Sequence, residues 1–230
     1  MRLAIASLCG LLASLVGLLA ATPLVLTVIY AVIDPPSLAI LRSERMHQPA
    51  VQIWRPLDDM SPYLVRAVVM SEDARFCLHW GVDLGQMRIV VAKALDGQTP
   101  RGASTITMQV VKNLFLWPDR SYVRKALEVP LAFWMDLVLS KDRVLEIYLN
   151  IAQWGSNVFG AEAAAERYFG VASADLTREQ ALAMATMLPA PSVRHPLSPS
   201  RRHRAVMAHV EKELDRAPWV FTCLPERIRP

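Results

Sequence analysis

Between Arg2 and Asp34 this 230-residue sequence has no charged side chain. That gap excludes an ordinary solvated segment. It leaves the run LAIASLCGLLASLVGLLAATPLVLTVIYAVI, roughly 45 Å long as a helix against a hydrocarbon core of ~30 Å. The run is too long for the apolar part of a signal peptide, and no small-x-small cleavage site follows it. Residues 1–33 are therefore expected to be a retained transmembrane helix, ended or kinked at Pro23. Cysteine is scarce, with only Cys9, Cys77 and Cys223. Cys9 lies inside the run behind bulky Leu8, unlike a lipid-acceptor cysteine. Cys77 and Cys223 are so far apart that spacing says little about pairing, and free thiols are the expectation. No basic stripe alternates with aromatics, which excludes a nucleic-acid partner despite a net charge of +4 and a pI near 9.1. That charge suits anionic lipid or a phosphate-bearing substrate. Zinc-ligand spacing, internal repeats and alternating strand patterns are also missing, so a zinc site, a solenoid and a β architecture fall away.

What is present is helical. Residues 34–60, rich in proline, arginine and polar residues, read as a linker. From residue 61 onward, amphipathic stretches follow one another. SPYLVRAVVMSED opens with Ser61 as N-cap and Pro62 at the first helical position. LGQMRIVVAKALD covers 84–96, RKALEVPLAFWMDLVL covers 124–139, and SKDRVLEIYLN starts at Ser140, placed to cap it. GAEAAAERYFG is closed by Gly170, REQALAMATML follows, and a last helix is expected over 199–215. The soluble part fits one all-α domain, 61–230, of at most two lobes.

Candidate chemistry gathers in a few places. Glu72 and Asp73 are adjacent carboxylates at a helix end, where the helix dipole disfavours anions. A solvated last turn would look the same, and His79 nearby reads equally as a structural histidine. GASTITMQ, 102–109, is an uncharged stretch with three hydroxyls, and reads as a loop offering donors to an anion or a sugar. A capped turn packed on the core is the plainer alternative. Lys112, Arg124, Lys125 and Lys141 are singly ordinary helix charges, but together they could neutralise a diphosphate. Glu128, beside Arg124 and Lys125, would stay ionised.

EDARFCLHWGVD, RGASTITMQVVKNLFLW, RKALE, SKDRVLEIYLN and GSNVFGAEAAAERYFG stand in the order and spacing of the peptidoglycan glycosyltransferases of glycosyltransferase family 51. The resemblance covers roughly residues 40–210. It implies an α-helical, lysozyme-like fold with a large head and a small membrane-dipped jaw, the jaw falling at 84–100. It implies a reaction in which the 4-hydroxyl of lipid II attacks the anomeric carbon of a lipid-linked glycan and undecaprenyl diphosphate leaves with inversion. By motif, Glu72 is the general base. Glu128 is the second essential glutamate, on the side of the diphosphate or its cation, where magnesium or manganese could assist; no metal-ligand set is expected. Asp73, Phe76, His79, Gly102, Ser104, Thr105, Gln109, Lys112, Asn113, Arg124, Lys125, Lys141 and Asn150 are the implied substrate-binding residues. Asp136 stands where many relatives have Glu, which puts a direct contact in doubt, and Pro130 is expected to kink the segment after Glu128.

The arginines of 42–55 do not favour an outside location. The resemblance nevertheless implies an extracytoplasmic domain held by a single span in the cytoplasmic (inner) membrane. Membrane lipid and division or elongation proteins are the implied partners. Neither Ser-x-x-Lys nor Lys-Thr-Gly occurs, so no transpeptidase activity is expected. Two other readings remain: a lytic transglycosylase or lysozyme-like hydrolase, which needs no diphosphate-binding cations, and a non-catalytic division scaffold, which needs neither glutamate.

Overall fold

The computed structural model describes residues 2–36, 50–98, 104–118, 121–191 and 193–229. Gly102, the start of GASTITMQ, and all of 37–49 lie outside them. Helix α1, Arg2–Ile29, runs through Pro23. Among the described residues no helix is long and apolar enough to cross a membrane; within α1, side chains are described without interruption only from residue 17 onward. The end of α1 is docked on the body. The Trp134 indole donates to Leu24 O at 3.2 Å. Arg143 donates to Tyr30 O and Ile33 O and pairs with Asp34 at 2.9 Å.

Helix α2, Pro62–Glu72, is the centre of the core. Leu64, Val65, Ala67, Val68 and Val69 are wholly buried, because apolar residues occupy nearly every position after Tyr63 and neighbours cover α2 on several faces. Ser61 stands at the N-cap, but its side chain does not cap. The hydroxyl reaches Leu176 O instead, at 3.1 Å, so it tethers two segments and leaves the start of the helix to Pro62. Around α2 pack α8, Arg178–Ala185, and α9, Arg201–Arg216. A second nucleus joins α4, Ile106–Phe115, to α5, Tyr122–Val138, and α6, Lys141–Ile151. Helix α5 continues through Pro130 as a single helix. Helix α3, Leu84–Leu95, packs half-buried Met87 against the core and exposes Leu84, Ile89, Val91 and Leu95. Helix α7, Ala161–Phe169, ends at Gly170 in the left-handed region.

Two expectations need correcting. The first is the absence of strands. A three-stranded sheet of very short strands exists, ordered β1 (Val51–Gln52), β3 (Val158–Phe159), β2 (Gln153–Gly155), with β1 parallel and β2 antiparallel to β3. Two or three residues are too few for an alternating pattern to register. The sheet threads the stretch 50–57 into the body. Asn150 acts there as a mock backbone, accepting from Arg55 N and donating to Arg55 O, both at 2.8 Å. The Leu57 N–H reaches Glu146, also at 2.8 Å.

The second correction concerns the thiols, which are not free: Cys77 and Cys223 form a disulfide with their Cα atoms 5.4 Å apart. The chain after α9 turns back, buries Phe221, and lays the turn Pro218–Phe221 against the turn Phe76–Leu78. A separation of 146 residues is closed by that returning tail, which spacing alone does not reveal.

Gly81 deserves its place in HWG for two reasons. Its φ is +76°, and a Cβ built there would sit 2.2 Å from Ala132 O on α5. Its own carbonyl accepts from Thr105 Oγ1 at 2.6 Å, so the loop is stitched to both α4 and α5. Gly81→Ala is expected to cost at least about 2 kcal/mol, from left-handed backbone strain and from overlap with a backbone oxygen that cannot swing away. Thermal unfolding measures it; a variant that melts with the wild type would contradict this packing.

Candidate active site

Glu72 is the last residue of α2, and Asp73 is its C-cap. The helix stops there because Asp73 leaves helical geometry (φ −159°, ψ 70°) and is claimed from outside. His79 Nε2 lies 3.0 and 3.1 Å from its two oxygens, and the Ile106 N–H donates at 3.0 Å. Asp73 thus ties α2, the 74–83 loop and the first turn of α4 together. Its carboxylate is spent on the fold. Its neighbour Glu72 is free to differ.

Among the described residues of GASTITMQ, only Ser104 and Thr105 stand outside a helix. Thr105 is the N-cap of α4, accepting from Met108 N at 3.1 Å, and helix begins at Ile106. Four residues beyond the cap, Gln109 Nε2 donates to Glu72 Oε2 at 2.9 Å. Glu72 Oε1 is buried and has no hydrogen-bond partner in the protein. Burial pushes the Glu72 carboxyl above its ordinary range. The Gln109 hydrogen bond and the charges of Lys112 and Arg194 pull it back, and neighbouring Asp73 adds to the rise. A carboxylate with one unused oxygen and a raised pKa is a better proton acceptor than an ordinary one.

Glu72 lines a cleft of about 170 Å³ with Asp73, Arg75, Asp83, Gln86, Ser104 and Thr105. Ser104 carries the site across to the second glutamate. Its hydroxyl accepts from Lys125 Nζ at 2.7 Å, and the same ammonium reaches Glu128 Oε2 at 2.9 Å. Arg124 lies 2.9 Å from Glu128 Oε1. The i, i+3 and i, i+4 spacing on α5 sets these pairs, with Arg124 and Glu128 buried and Lys125 about one-third exposed. The cluster has two cations to one anion and presents Lys125 toward the Ser104 side of the cleft.

The other sequence candidates divide by burial. Lys112 and Asn113 sit half-buried on α4, within a turn of Gln109. Phe76 and Asn150 are wholly buried, so their side chains shape the fold beneath the site and meet no solvent. Lys141 is drawn inward by Asp136 and His79 O, both at 2.7 Å, and lies over the Phe76 ring. Asp136, the shortened carboxylate, is Lys141's partner in this arrangement. Two residues near Glu72 carried no flag in the sequence. Tyr148 is within EIYLN, and Arg194 is in the turn after α8.

A proton acceptor that shares a cleft with a fixed cation cluster suits transfer between a hydroxyl and a group leaving as an anion, which is the work of a group-transferring enzyme. Comparison with known proteins narrows that class. A family model described as Transglycosylase matches residues 40–215. A biosynthetic peptidoglycan transglycosylase of Rhizobium meliloti (strain 1021) is 49% identical over 192 residues, covering 84% of this chain and 81% of that protein. One from Brucella suis biovar 1 (strain 1330) is 44% identical over 208 residues, covering 90% and 93%. One from Agrobacterium fabrum (strain C58 / ATCC 33970) is 51% identical over 159 residues, covering 69% and 70%. The chain belongs to the transglycosylase family.

Proposed function

We propose that this chain is a peptidoglycan glycosyltransferase that polymerises lipid II into linear glycan strands. The observation that carries the proposal is the bare, buried Oε1 of Glu72 in a cleft joined through Ser104 to the Lys125–Glu128–Arg124 cluster. Glu72 takes the proton of the acceptor's 4-hydroxyl as that oxygen attacks the donor's anomeric carbon. The bond from that carbon to the diphosphate breaks with its electron pair on the leaving oxygen, and attack from the opposite face inverts the centre. Lys125, supported by Arg124, meets the charge that develops on the diphosphate. Glu128 keeps both cations in place. Glu72 then returns its proton to solvent.

A resident magnesium or manganese ion does not suit the surroundings of Glu128, because Lys125 donates to one of its oxygens and the Arg124 guanidinium lies 2.9 Å from the other, so two positive charges already face this single carboxylate. No step above runs through a metal. The disulfide supports an extracytoplasmic catalytic domain, since such bonds persist in oxidising compartments. The 28-residue α1, uncharged after Arg2, supports a single membrane anchor. Exposed Leu84, Ile89, Val91 and Leu95 on α3 support contact with lipid by a small lobe. Proteins of cell division or elongation would meet it at the same membrane.

The test is to give the purified full-length protein lipid II in detergent and, separately, intact sacculi. Glycan polymer and released diphosphate from lipid II, with no soluble fragments from sacculi, is the expected result. Fragments from sacculi without polymer would establish a lytic enzyme, and neither product would leave a scaffold.

A further inference from the structure

The α6 tyrosine beneath the site has no part in the reaction as drawn, yet its hydroxyl is not idle. Tyr148 is almost wholly buried, and its Oη lies 3.3 Å from Gln109 Oε1. Gln109 in turn donates from Nε2 to Glu72 Oε2 at 2.9 Å. A glutamine side chain can present either end of its amide, the donor NH2 or the acceptor C=O. Toward an ionised carboxylate the first attracts and the second repels; toward a protonated one the second is favourable. The phenol decides between them. Burial and the nearby carboxylates push its pKa well above the ordinary tyrosine range, so its O–H remains a donor throughout the working pH range and claims the C=O end.

We propose that Tyr148 is a positioning residue: its hydroxyl fixes the Gln109 amide with the amino end toward Glu72, which holds the carboxylate in its proton-accepting form with Oε1 left bare. The proposal rests on the reading of Glu72 as the base. The other charged groups that act on Glu72 come from separate elements: Asp73 next to it, Lys112 on α4 and Arg194 after α8. Asp73 is held by His79 and the Ile106 N–H. Tyr148 also lies close enough to Glu72 to interact with it directly, and removing Gln109 separates the route through the amide from that direct one and from the charges.

The experiment is the pH dependence of kcat/KM for lipid II polymerisation by the full-length protein, whose acid limb reports ionisation of the base in the free enzyme. Tyr148→Phe should move the acid-limb midpoint upward by about 0.5–1 pH unit, the size of one neutral hydrogen bond, and lower kcat with little change in KM. Gln109→Leu should shift it at least as far, and Tyr148→Phe added to Gln109→Leu should shift it no further. Should Tyr148→Phe fail to fold, a ring-fluorinated tyrosine at 148 keeps the shape and strengthens the donor, and the midpoint should then fall. Glu72→Gln is run alongside. If it retains turnover, the base reading and this proposal fall together. If it is inactive but the Tyr148→Phe profile superimposes on the wild type, or Tyr148→Phe shifts the midpoint equally with Gln109 absent, the role of Tyr148 alone is overturned; for the fluorinated protein an unmoved midpoint does the same.

Discussion

Glu72→Gln is expected to lose about 10²–10⁴ in turnover, the usual range for a missing general base, while still binding lipid II and melting above the wild type. The amide matches the carboxylate in shape and can accept from Gln109 Nε2, so the cleft keeps its walls. What disappears is the oxygen that takes the proton. The stability gain follows from the same burial that equips the base. The folded-state pKa of Glu72 is raised, so its favourable contribution to stability is complete below the unfolded pKa and is lost as pH rises through the folded one. Once pH exceeds the folded-state pKa, the wild type carries a buried, incompletely paired negative charge that Gln does not. Activity has the opposite slope, rising with pH as Glu72 ionises. Turnover, lipid II affinity and melting temperature across pH measure all three. A Glu72→Gln protein with near wild-type turnover would end the base assignment. One that is inactive and melts lower at neutral pH would show that the carboxylate is stabilised in the fold and not strained there.

The helices were legible because their signals are local. The apolar periodicity of 84–96 appears as α3, Gly170 closes α7 as its position suggests, and the Arg124-Lys125 pair with Glu128 lies one turn apart on α5. Glu72 could be singled out as a carboxylate at a helix end. What makes it different from Asp73 could not, because the difference lies in partners 33 and 37 positions downstream, the Ile106 N–H and Gln109. The roles of hydroxyls and cations were open in the sequence for the same reason. Thr105 looked like a ligand-facing side chain and is a helix cap bonded to Gly81 O. Lys141 looked like a phosphate-binding charge and is paired with Asp136. A single sequence shows which residues could bind; it does not show which of them the fold has already used. The polar residues left with spare capacity at the cleft are those whose near neighbours in space are sparse, and that is a tertiary property.

The tail was the least legible part, and its removal from the loop carries the second large effect. The bond joins the turn at Phe76–Leu78 to a tail that lies beyond the family match at 40–215, so neither spacing nor resemblance pointed to it. Cross-linking residues 146 apart removes much chain freedom from the unfolded state. Replacing both Cys77 and Cys223 by Ser is therefore expected to cost about 2–5 kcal/mol, a fall of roughly 5–15 °C for a domain of this size. Turnover at 25 °C should fall far less. The 74–83 loop is held independently at Asp73 by His79, at His79 O by Lys141, and at Gly81 O by Thr105, and none of these contacts involves sulfur. The wild type treated with a dithiol reductant should melt with the double variant, and the double variant should not respond to reductant. Equal melting of oxidised and reduced wild type would mean that the packing of Phe221 and the returning tail holds that end of the molecule without the covalent link. A collapse of turnover at 25 °C would instead show that the tail, through Cys77, holds the loop that begins two residues after the base.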